Sequence, residues 1–344
     1  MTGARAFGTL ADGRGVQAVT LAAGELRARI LTRGAVLQDL RLAGVPWPLL
    51  LGSDLLAAYE GPMEWFGAVV GPVANRIAGA RLTAAGQVWH LPANDGPNCL
   101  HGGPEGTWAQ LWQIADLAPD RVALQLDLAR GAGGLPGARR IGATYRILPP
   151  ATLELRLWAE TDRPTPMNLA HHPYWSLDGR PDTGGHWLRV AAAHLLPTDA
   201  AGLPTGEIRP LAGDPRDLRA LRALRRLDAL PRLDHNYCLS NAPRPLTEAA
   251  ELTGASGVRL RLATTAPGLQ VYDGAGLNTA PFPGLTGQPY GPRAGVALEP
   301  QYWPDAPHHA GFPDILLQPG SRWEQITTYR FDRTDPTGDT RPTS

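Results

Sequence analysis

Short segments in which apolar and polar residues alternate recur along the whole chain. The alternation is complete over residues 121–128, and two further runs, residues 144–148 and 152–158, flank Pro149 and Pro150. A period of two is typical of a strand with one buried face, and two such runs around a proline turn predict a hairpin. Further runs of this kind lie at residues 25–30, 35–42, 258–263 and 325–331. Their number and close spacing predict an all-β chain, a large antiparallel sandwich with few short helices.

One segment departs from this pattern. Leucines recur at every third position between Leu218 and Leu230, among arginines. This spacing predicts a helix or helical turns on the surface within residues 217–230. The polar residues 334–344 predict a frayed tail. No linker divides the chain, so we expect one domain over residues 1–344 with its core at about 20–332.

The charge balance excludes several classes of function. Lys plus Arg and Asp plus Glu both total 32 in 344 residues, which predicts no nucleic-acid or anionic-membrane partner. The sequence contains no lysine, so Schiff-base chemistry and a P-loop lysine are excluded. Forty glycines and 34 prolines indicate many turns, in agreement with many short strands.

The number of cysteines and the length of the apolar runs indicate the cellular compartment of the protein. Two cysteines, Cys99 and Cys238, form neither a disulfide framework nor a zinc cluster. The first residues lack the apolar run of a secretory signal, and no apolar stretch reaches the roughly 18 residues of a membrane span. We therefore expect a cytoplasmic protein.

The most informative segment for function is residues 167–177, Met-Asn-Leu-Ala-His-His-Pro-Tyr-Trp-Ser-Leu. Prolines on either side of its two histidines, His171 and His172, disfavour a helix and predict a strand or a loop at a strand end. Histidine exchanges protons near neutral pH, and the aromatic faces of Tyr174 and Trp175 suit a sugar. Taken alone, the pair is better explained by a core histidine with a satisfied hydrogen bond.

Four more segments embed polar residues in glycine, aromatic and apolar surroundings. They are residues 71–82 with Asn75 and Arg76, residues 98–103 with His101, residues 233–239 with Asp234 and His235, and residues 295–305 with Glu299. Each alone also fits a turn cap, a salt bridge or a strand end.

Taken together, in this order and spacing, the segments resemble the aldose 1-epimerases, or mutarotases. The matching motifs are Asn-Arg-Ile-Ala-Gly, Leu-His-Gly-Gly, Asn-Leu-x-x-His-x-Tyr-Trp, Asp-His-Asn-Tyr and Leu-Glu-x-Gln-x-Trp-Pro-Asp, over residues 34–331. The resemblance implies a galactose mutarotase-like β-supersandwich. It implies an isomerase of carbohydrate metabolism that interconverts the α and β anomers of a free hexose, such as galactose or glucose, without metal or cofactor.

The resemblance also implies roles for individual residues. His172 is the expected general acid at the ring oxygen, and Glu299 the general base at the anomeric hydroxyl. The residues expected to bind the sugar are Asn75, Arg76, His101, Asp234, Gln270 and Tyr272.

Three positions depart from the family pattern. His171 stands where relatives commonly have Asn, Pro173 where they have Ser or Thr, and Pro72 where a basic residue is frequent. We assign the acid to His172, since its spacing to Tyr174 keeps the family register. These departures leave the preferred sugar open.

Four alternatives remain at this stage. One is an epimerase of a phosphorylated hexose, which needs additional basic residues around the site. Another is a non-catalytic carbohydrate-binding relative. A glycosidase would use Asp234 and Glu299 as paired carboxylates. A metal site would use the histidine pairs at 171–172 and 308–309, although neighbours on a strand point to opposite faces. The protein is expected to be a monomer or a homodimer.

Overall fold

The structure is a computed structural model that describes residues 3–84, 86–227 and 233–333. Antiparallel strands dominate it. In the first half of the chain the strands are β1 Ala4–Thr9, β2 Gly15–Ala23, β3 Leu26–Leu31, β4 Leu37–Leu42, β5 Val69–Val70, β6 Arg76–Ile77, β7 Arg81–Ala84, β8 Gln87–His90, β9 Cys99–Leu100, β10 Gln113–Ala118, β11 Arg121–Leu128, β12 Arg139–Leu148, β13 Thr152–Thr161 and β14 Thr165–Pro166.

In the second half they are β15 Ala170–His171, β16 Tyr174–Trp175, β17 Trp187–Val190, β18 His194–Leu195, β19 Arg209–Pro210, β20 Arg222–Ala223, β21 Asp234–Cys238, β22 Thr247–Thr253, β23 Val258–Thr264, β24 Gly268–Tyr272, β25 Val296–Gln301, β26 Leu316–Leu317 and β27 Trp323–Arg333. The described residues contain one α-helix, α1 Leu56–Tyr59. They also contain 3-10 turns at Ala78–Ala80, Thr107–Ala109, Ala132–Gly134, Leu224–Leu227 and Ala306–His308.

Three sheets form the body of the sandwich. A four-stranded sheet has the order β1-β2-β3-β4, and a nine-stranded sheet has the order β10-β11-β12-β13-β27-β23-β22-β17-β20. A six-stranded sheet has the order β16-β25-β24-β21-β18-β19. The remaining short strands pair two by two, as β14-β26, β15-β5, β6-β9 and β7-β8.

The core lies between the inner faces of these sheets. In β11 the residues alternate between buried and more exposed positions, as the sequence pattern predicts. One cluster of buried apolar side chains joins the three sheets, for example through Leu40, Leu155 and Leu298. Burial of one face per strand is the main favourable term in such a fold. The predicted all-β supersandwich is confirmed.

For residues 217–230 the sequence predicts a helix or helical turns. The described residues of this segment form one 3-10 turn, Leu224–Leu227, and residues 228–232 lie outside the described residues. The Asp217 carboxylate accepts a hydrogen bond from the backbone N–H of Arg219 at 3.0 Å, a local turn that competes with a helix. The predicted tail, residues 334–344, also lies outside the described residues.

None of the helices in the described ranges is long and apolar enough to cross a bilayer.

Stability should depend on the core in a position-specific way. Leu155, on the central strand β13, is 1% exposed, whereas Leu246 is 45% exposed. Leu155→Ala should lower the free energy of unfolding by about 2–5 kcal/mol, because it removes buried methyl groups and leaves a cavity. Leu246→Ala should change it by less than about 0.5 kcal/mol. Urea unfolding of the two variants checks this, and equal losses would contradict the assigned core.

Candidate active site

A cavity of 180 Å³ opens beside the six-stranded sheet. This is below the roughly 300–1,000 Å³ of pockets for drug-sized ligands and suits one sugar ring. All eight residues that the sequence predicts for the site line it, together with three others. The lining consists of Trp65, Asn75, Arg76, Leu100, His101, His172, Tyr174, Asp234, Gln270, Tyr272 and Glu299.

Three neighbouring strands supply the polar floor of the cavity. Gln270 on β24 lies opposite Glu299 on β25, and Asp234 begins the adjoining strand β21. Residues opposite each other, or two apart on one strand, share a face of the sheet. Gln270 Nε2 donates a hydrogen bond of 2.6 Å to Asp234 Oδ1. The floor therefore places two carboxylates and an amide side by side.

His172 and Glu299 form a close pair. His172 lies between β15 and β16, and its backbone N–H donates to the carbonyl of Ala68 at 2.9 Å. Its Nε2 lies 3.4 Å from Oε1 of Glu299. The imidazole is 4% exposed and the carboxyl residue 2% exposed. An acid and a base thus meet at the cavity, almost out of contact with water.

Burial acts on both members of this pair. It lowers the pKa of His172 to about 4. It raises the pKa of Glu299 well above its ordinary value; the Asp234 charge raises it further and Arg76 opposes the rise. At neutral pH the imidazole of the free pair is therefore neutral, and burial shifts Glu299 toward its protonated form. This differs from the sequence expectation of a histidine that titrates near neutrality, because the expectation took no account of burial.

Two residues with a left-handed backbone conformation form one wall of the cavity. Asn75 has φ of 63° and His101 has φ of 53°. The backbone N–H of Asn75 donates to Nδ1 of His101 at 3.2 Å. A ring nitrogen that accepts a hydrogen bond carries no proton, so the proton of a neutral His101 resides on Nε2. Burial, followed by the charges of His172 and Arg76, lowers the His101 pKa well below its usual value. His101 is therefore a neutral hydrogen-bond donor at Nε2.

Arg76 is held in place by a partner outside the cavity lining. Its Nε donates a hydrogen bond of 2.7 Å to Asp95 Oδ2. Asp95 lies in a loop, and nothing in its sequence context distinguishes it from other loop acids, so sequence reasoning missed it. This ion pair fixes the guanidinium at the rim.

Aromatic residues complete the cavity. The rings of Trp65 and His101 lie 5.1 Å apart, those of His172 and Tyr174 5.0 Å, and those of Tyr174 and Tyr272 6.2 Å. Such faces pack against the C–H groups of a pyranose. The site residues predicted from the sequence do not include Trp65 and Tyr174. Tyr174 is recognisable in the sequence as an aromatic neighbour of the histidines, whereas Trp65 has no motif of its own.

His171 lies on the other side of its strand. Its Nδ1 is 3.0 Å from the Tyr329 hydroxyl, and its ring meets Tyr145 edge-on with centroids 5.6 Å apart. Burial lowers the His171 pKa to about 3. His171 therefore packs in the core as a neutral side chain, while His172 faces the cavity.

The donor atoms of His101, His172 and Glu299 lie within 4.8 Å of one another, the spacing of a possible metal site. A histidine that ligates a metal usually donates from its other ring nitrogen to an acceptor. Nδ1 of His101 instead accepts, and Nδ1 of His172 has no partner in the described part of the chain. This donor set suits proton exchange with oxygen better than it suits a metal.

The metal site considered from the two histidine pairs is not assembled. His308 Nδ1 lies 2.6 Å from Asp305 Oδ1, and His309 Nε2 lies 3.7 Å from Asp305 Oδ2. His171 contacts Tyr329 instead. Within the described ranges, His171, His308 and His309 belong to no cluster with metal-ligand spacing, and His172 meets only the group with His101 and Glu299.

Sequence comparison identifies relatives over nearly the whole chain. The sequence model of the family described as Aldose 1-epimerase matches residues 17–330. Galactose mutarotase of Rattus norvegicus is 35% identical, with 94% of this chain and 97% of the relative covered. Aldose 1-epimerase of Escherichia coli (strain K12) is 34% identical, with 82% and 84% covered.

Comparison with solved structures identifies the same family. An aldose epimerase homologue from C. elegans superposes with a TM-score of 0.86 at 29% identity, covering 93% of this chain and all of the other. Galactose 1-epimerase from Lactobacillus acidophilus gives a TM-score of 0.82 at 25% identity, covering 97% and 99%. By its sequence and by its fold, this chain belongs to the aldose 1-epimerase family of isomerases.

Proposed function

We propose that this protein interconverts the α and β anomers of a free hexose, galactose or glucose, with His172 and Glu299 as the acid–base pair. The observation that carries the proposal is the 3.4 Å approach of these two buried groups inside a sugar-sized cavity. The names of the relatives, galactose mutarotase and aldose 1-epimerase, support the same reaction.

The charges of the lining favour a free sugar over a phosphorylated one. Arg76 is the only guanidinium among the lining residues, and it is paired with Asp95. Two carboxylates, Asp234 and Glu299, line the same cavity. A phosphate would enter next to these acids with no unpaired cation to receive it. A non-catalytic binder, in turn, has no need for a buried acid–base pair.

Ring opening uses one proton of the pair. In the reactive form, His172 is an imidazolium and Glu299 a carboxylate. Glu299 takes the proton of the C1 hydroxyl while His172 delivers one to O5, and the C1–O5 bond breaks. The products are an open-chain aldehyde, a neutral imidazole and a neutral carboxyl. After rotation about the C1–C2 bond, the same two transfers run in reverse and close the ring on the other face.

Burial and the residues proposed to bind the sugar have opposite effects on the balance between the charged and the neutral form of the His172–Glu299 pair. Burial favours the neutral pair, which is the form that accompanies the open chain. Arg76 lowers the Glu299 pKa and thus stabilises the carboxylate of the reactive form. His101 donates from Nε2, and Asp234 accepts, so that together they match a hydroxyl group, which is both donor and acceptor.

We further propose a single domain, and the match over residues 17–330 supports it. The cytoplasmic location and the monomeric or homodimeric state remain predictions.

The first test removes the proposed general acid, His172. His172→Asn should lower turnover by about 10²–10⁴-fold, the usual contribution of one general acid or base. His171→Asn is the matched control, since it changes the adjacent buried imidazole that faces the core, and it should cost much less. Polarimetry of freshly dissolved α-galactose and α-glucose measures both. Near-normal turnover of His172→Asn would refute the assignment.

The pH profile tests the pair as a unit. The reactive form carries one proton, so kcat/KM should fall when a second proton binds and when the last one leaves. With the His172 pKa lowered to about 4, the acid limb should lie near pH 4. With the Glu299 pKa raised, activity should persist above its ordinary range and fall only as pH rises through the raised value. An acid limb near pH 6–7, the usual histidine range, would contradict this order of protonation.

The substrate class is tested with a sugar panel. Anomer exchange should be seen by NMR for free galactose or glucose, and their 6-phosphates should be exchanged at least tenfold more slowly, because the lining lacks an unpaired cation. Exchange of phosphorylated sugars alone would overturn the proposed substrate class.

A further inference from the structure

A hairpin tip outside the cavity lining lies against the side chain of Arg76. The chain between β18 and β19 turns back at residues 199–203, and Gly202 in this tip has φ of 77°. A Cβ atom on Gly202 would lie 3.1 Å from both Cζ and Nη1 of Arg76 and 3.3 Å from Nε. Three nearly equal distances place this atom above the plane of the guanidinium and not at its edge. The tip therefore covers one face of the group.

This contact requires glycine. A carbon atom normally keeps about 3.5–4.0 Å from other non-bonded heavy atoms, and a positive φ is strained for residues with a side chain. A side chain at residue 202 would therefore push aside either the guanidinium of Arg76 or the tip itself. Because Gly202 is not among the residues that line the cavity, it covers Arg76 from outside.

Hydrogen bonds within the tip fix its shape. Oδ1 of Asp199 accepts from the backbone N–H groups of Ala201 and Leu203 at 2.9 and 3.0 Å. The N–H of Asp199 donates to the carbonyl of Leu203 at 2.9 Å, and the N–H of Gly202 donates to the carbonyl of Asp199 at 3.1 Å. An aspartate that bonds the backbone of its own turn holds that turn in one conformation. The glycine is thus presented to Arg76 in a defined position.

Asp305 links this hairpin to the strand that carries Arg76. Its Oδ1 accepts a hydrogen bond of 3.1 Å from the backbone N–H of Ala78, two residues after Arg76. Its Oδ2 lies 3.7 Å from Nε2 of His309. The His309 ring in turn lies against Gly206, where a Cβ atom would be 3.0 Å from its Nδ1. Both sides of the contact are therefore connected to the same buried carboxyl group.

The remaining donors of Arg76 are available to a ligand. Its Nε is used by Asp95 at 2.7 Å, and its side chain is 19% exposed. Neither terminal nitrogen has a hydrogen-bond partner among the residues that the structure describes. A guanidinium has five N–H donors, and four of them are on these two nitrogens. Arg76 lines the cavity, so these donors can reach a hydroxyl of a sugar inside it.

We propose that Gly202 is a positioning residue of the sugar site, and that it acts through Arg76. Asp95 holds one edge of the guanidinium and Gly202 covers one face, so that the terminal nitrogens keep the orientation in which they donate to a sugar hydroxyl. The hairpin tip thereby sets the affinity for the sugar without touching it. The inference rests on the sugar-binding role of Arg76 in the proposed function.

The first experiment adds one methyl group to the tip. Gly202→Ala should raise KM for galactose about tenfold, because a displaced guanidinium loses a charge-assisted hydrogen bond to the hydroxyl. Gly213→Ala is the matched control, since Gly213 also has a positive φ, 82°, but a Cβ atom there meets none of the described residues within 4 Å. It incurs similar backbone strain and should leave KM unchanged. In polarimetry, an unchanged KM in Gly202→Ala, or an equal rise in both variants, would overturn the proposal.

The second experiment asks whether the tip acts through Arg76. In an Arg76→Ala background the methyl group of Gly202→Ala meets no guanidinium, so it should change kcat/KM by less than about twofold. A further tenfold loss in that background would show that residue 202 acts on another part of the site, and the proposal would then be wrong.

The third experiment needs no variant. A crystal structure of the wild-type protein in saturating galactose should show a terminal nitrogen of Arg76 within about 3.2 Å of a sugar hydroxyl, with the tip still against the guanidinium face. A bound sugar that Arg76 does not contact, a tip that has left the guanidinium, or an empty cavity would overturn the proposal. If galactose binds in this way but its anomers are not exchanged, the proposed function fails and the role of Gly202 stands.

Discussion

The cavity depends on the register of three antiparallel strands. Gln270 pairs with Glu299 on one side and with Asn236 on the other, so that the polar side chains project from one face. The alternate residues, among them Val271 and Leu298, point to the apolar core on the opposite face. A slip of β25 by one residue would place Leu298 at the cavity and bury a carboxyl among leucines. The pairing that forms the fold is therefore also the pairing that forms the site.

The charged forms of His172 and Glu299 that the proposed mechanism uses are unfavourable for the stability of the folded protein. His172 and Glu299 are both nearly inaccessible to water, and each charge is costly in that setting. A neutral pair avoids this cost, and in the proposed mechanism the substrate with its surrounding donors must offset it during reaction. Buried carboxyls with raised pKa values are found where enzymes need a base or an acid near neutral pH.

Much of the fold and the site could be predicted from the sequence. The alternation of apolar and polar residues predicted the bounds of β11 and located both strands of the β12–β13 hairpin. It could do so because a period of two reflects burial of one face of a strand. The family motifs identified eight residues that share one cavity. Local patterns could not give the contacts made across long stretches of chain, such as that of Asp95 with Arg76, or the wall formed by Trp65. Nor could they give the protonation of His172, which is set by burial in the assembled sandwich.

The nitrogen-bearing basic side chains around the cavity are a guanidinium and imidazoles, and the chain as a whole has no lysine. Open-chain aldoses condense with primary amines, the chemistry of glycation, and a lysine side chain is the usual target. An enzyme that generates the aldehyde at each turnover exposes its own interior to this reaction. In this protein no side-chain amine is present to be modified, so the transient aldehyde can reclose or leave without forming an adduct with the wall that holds it.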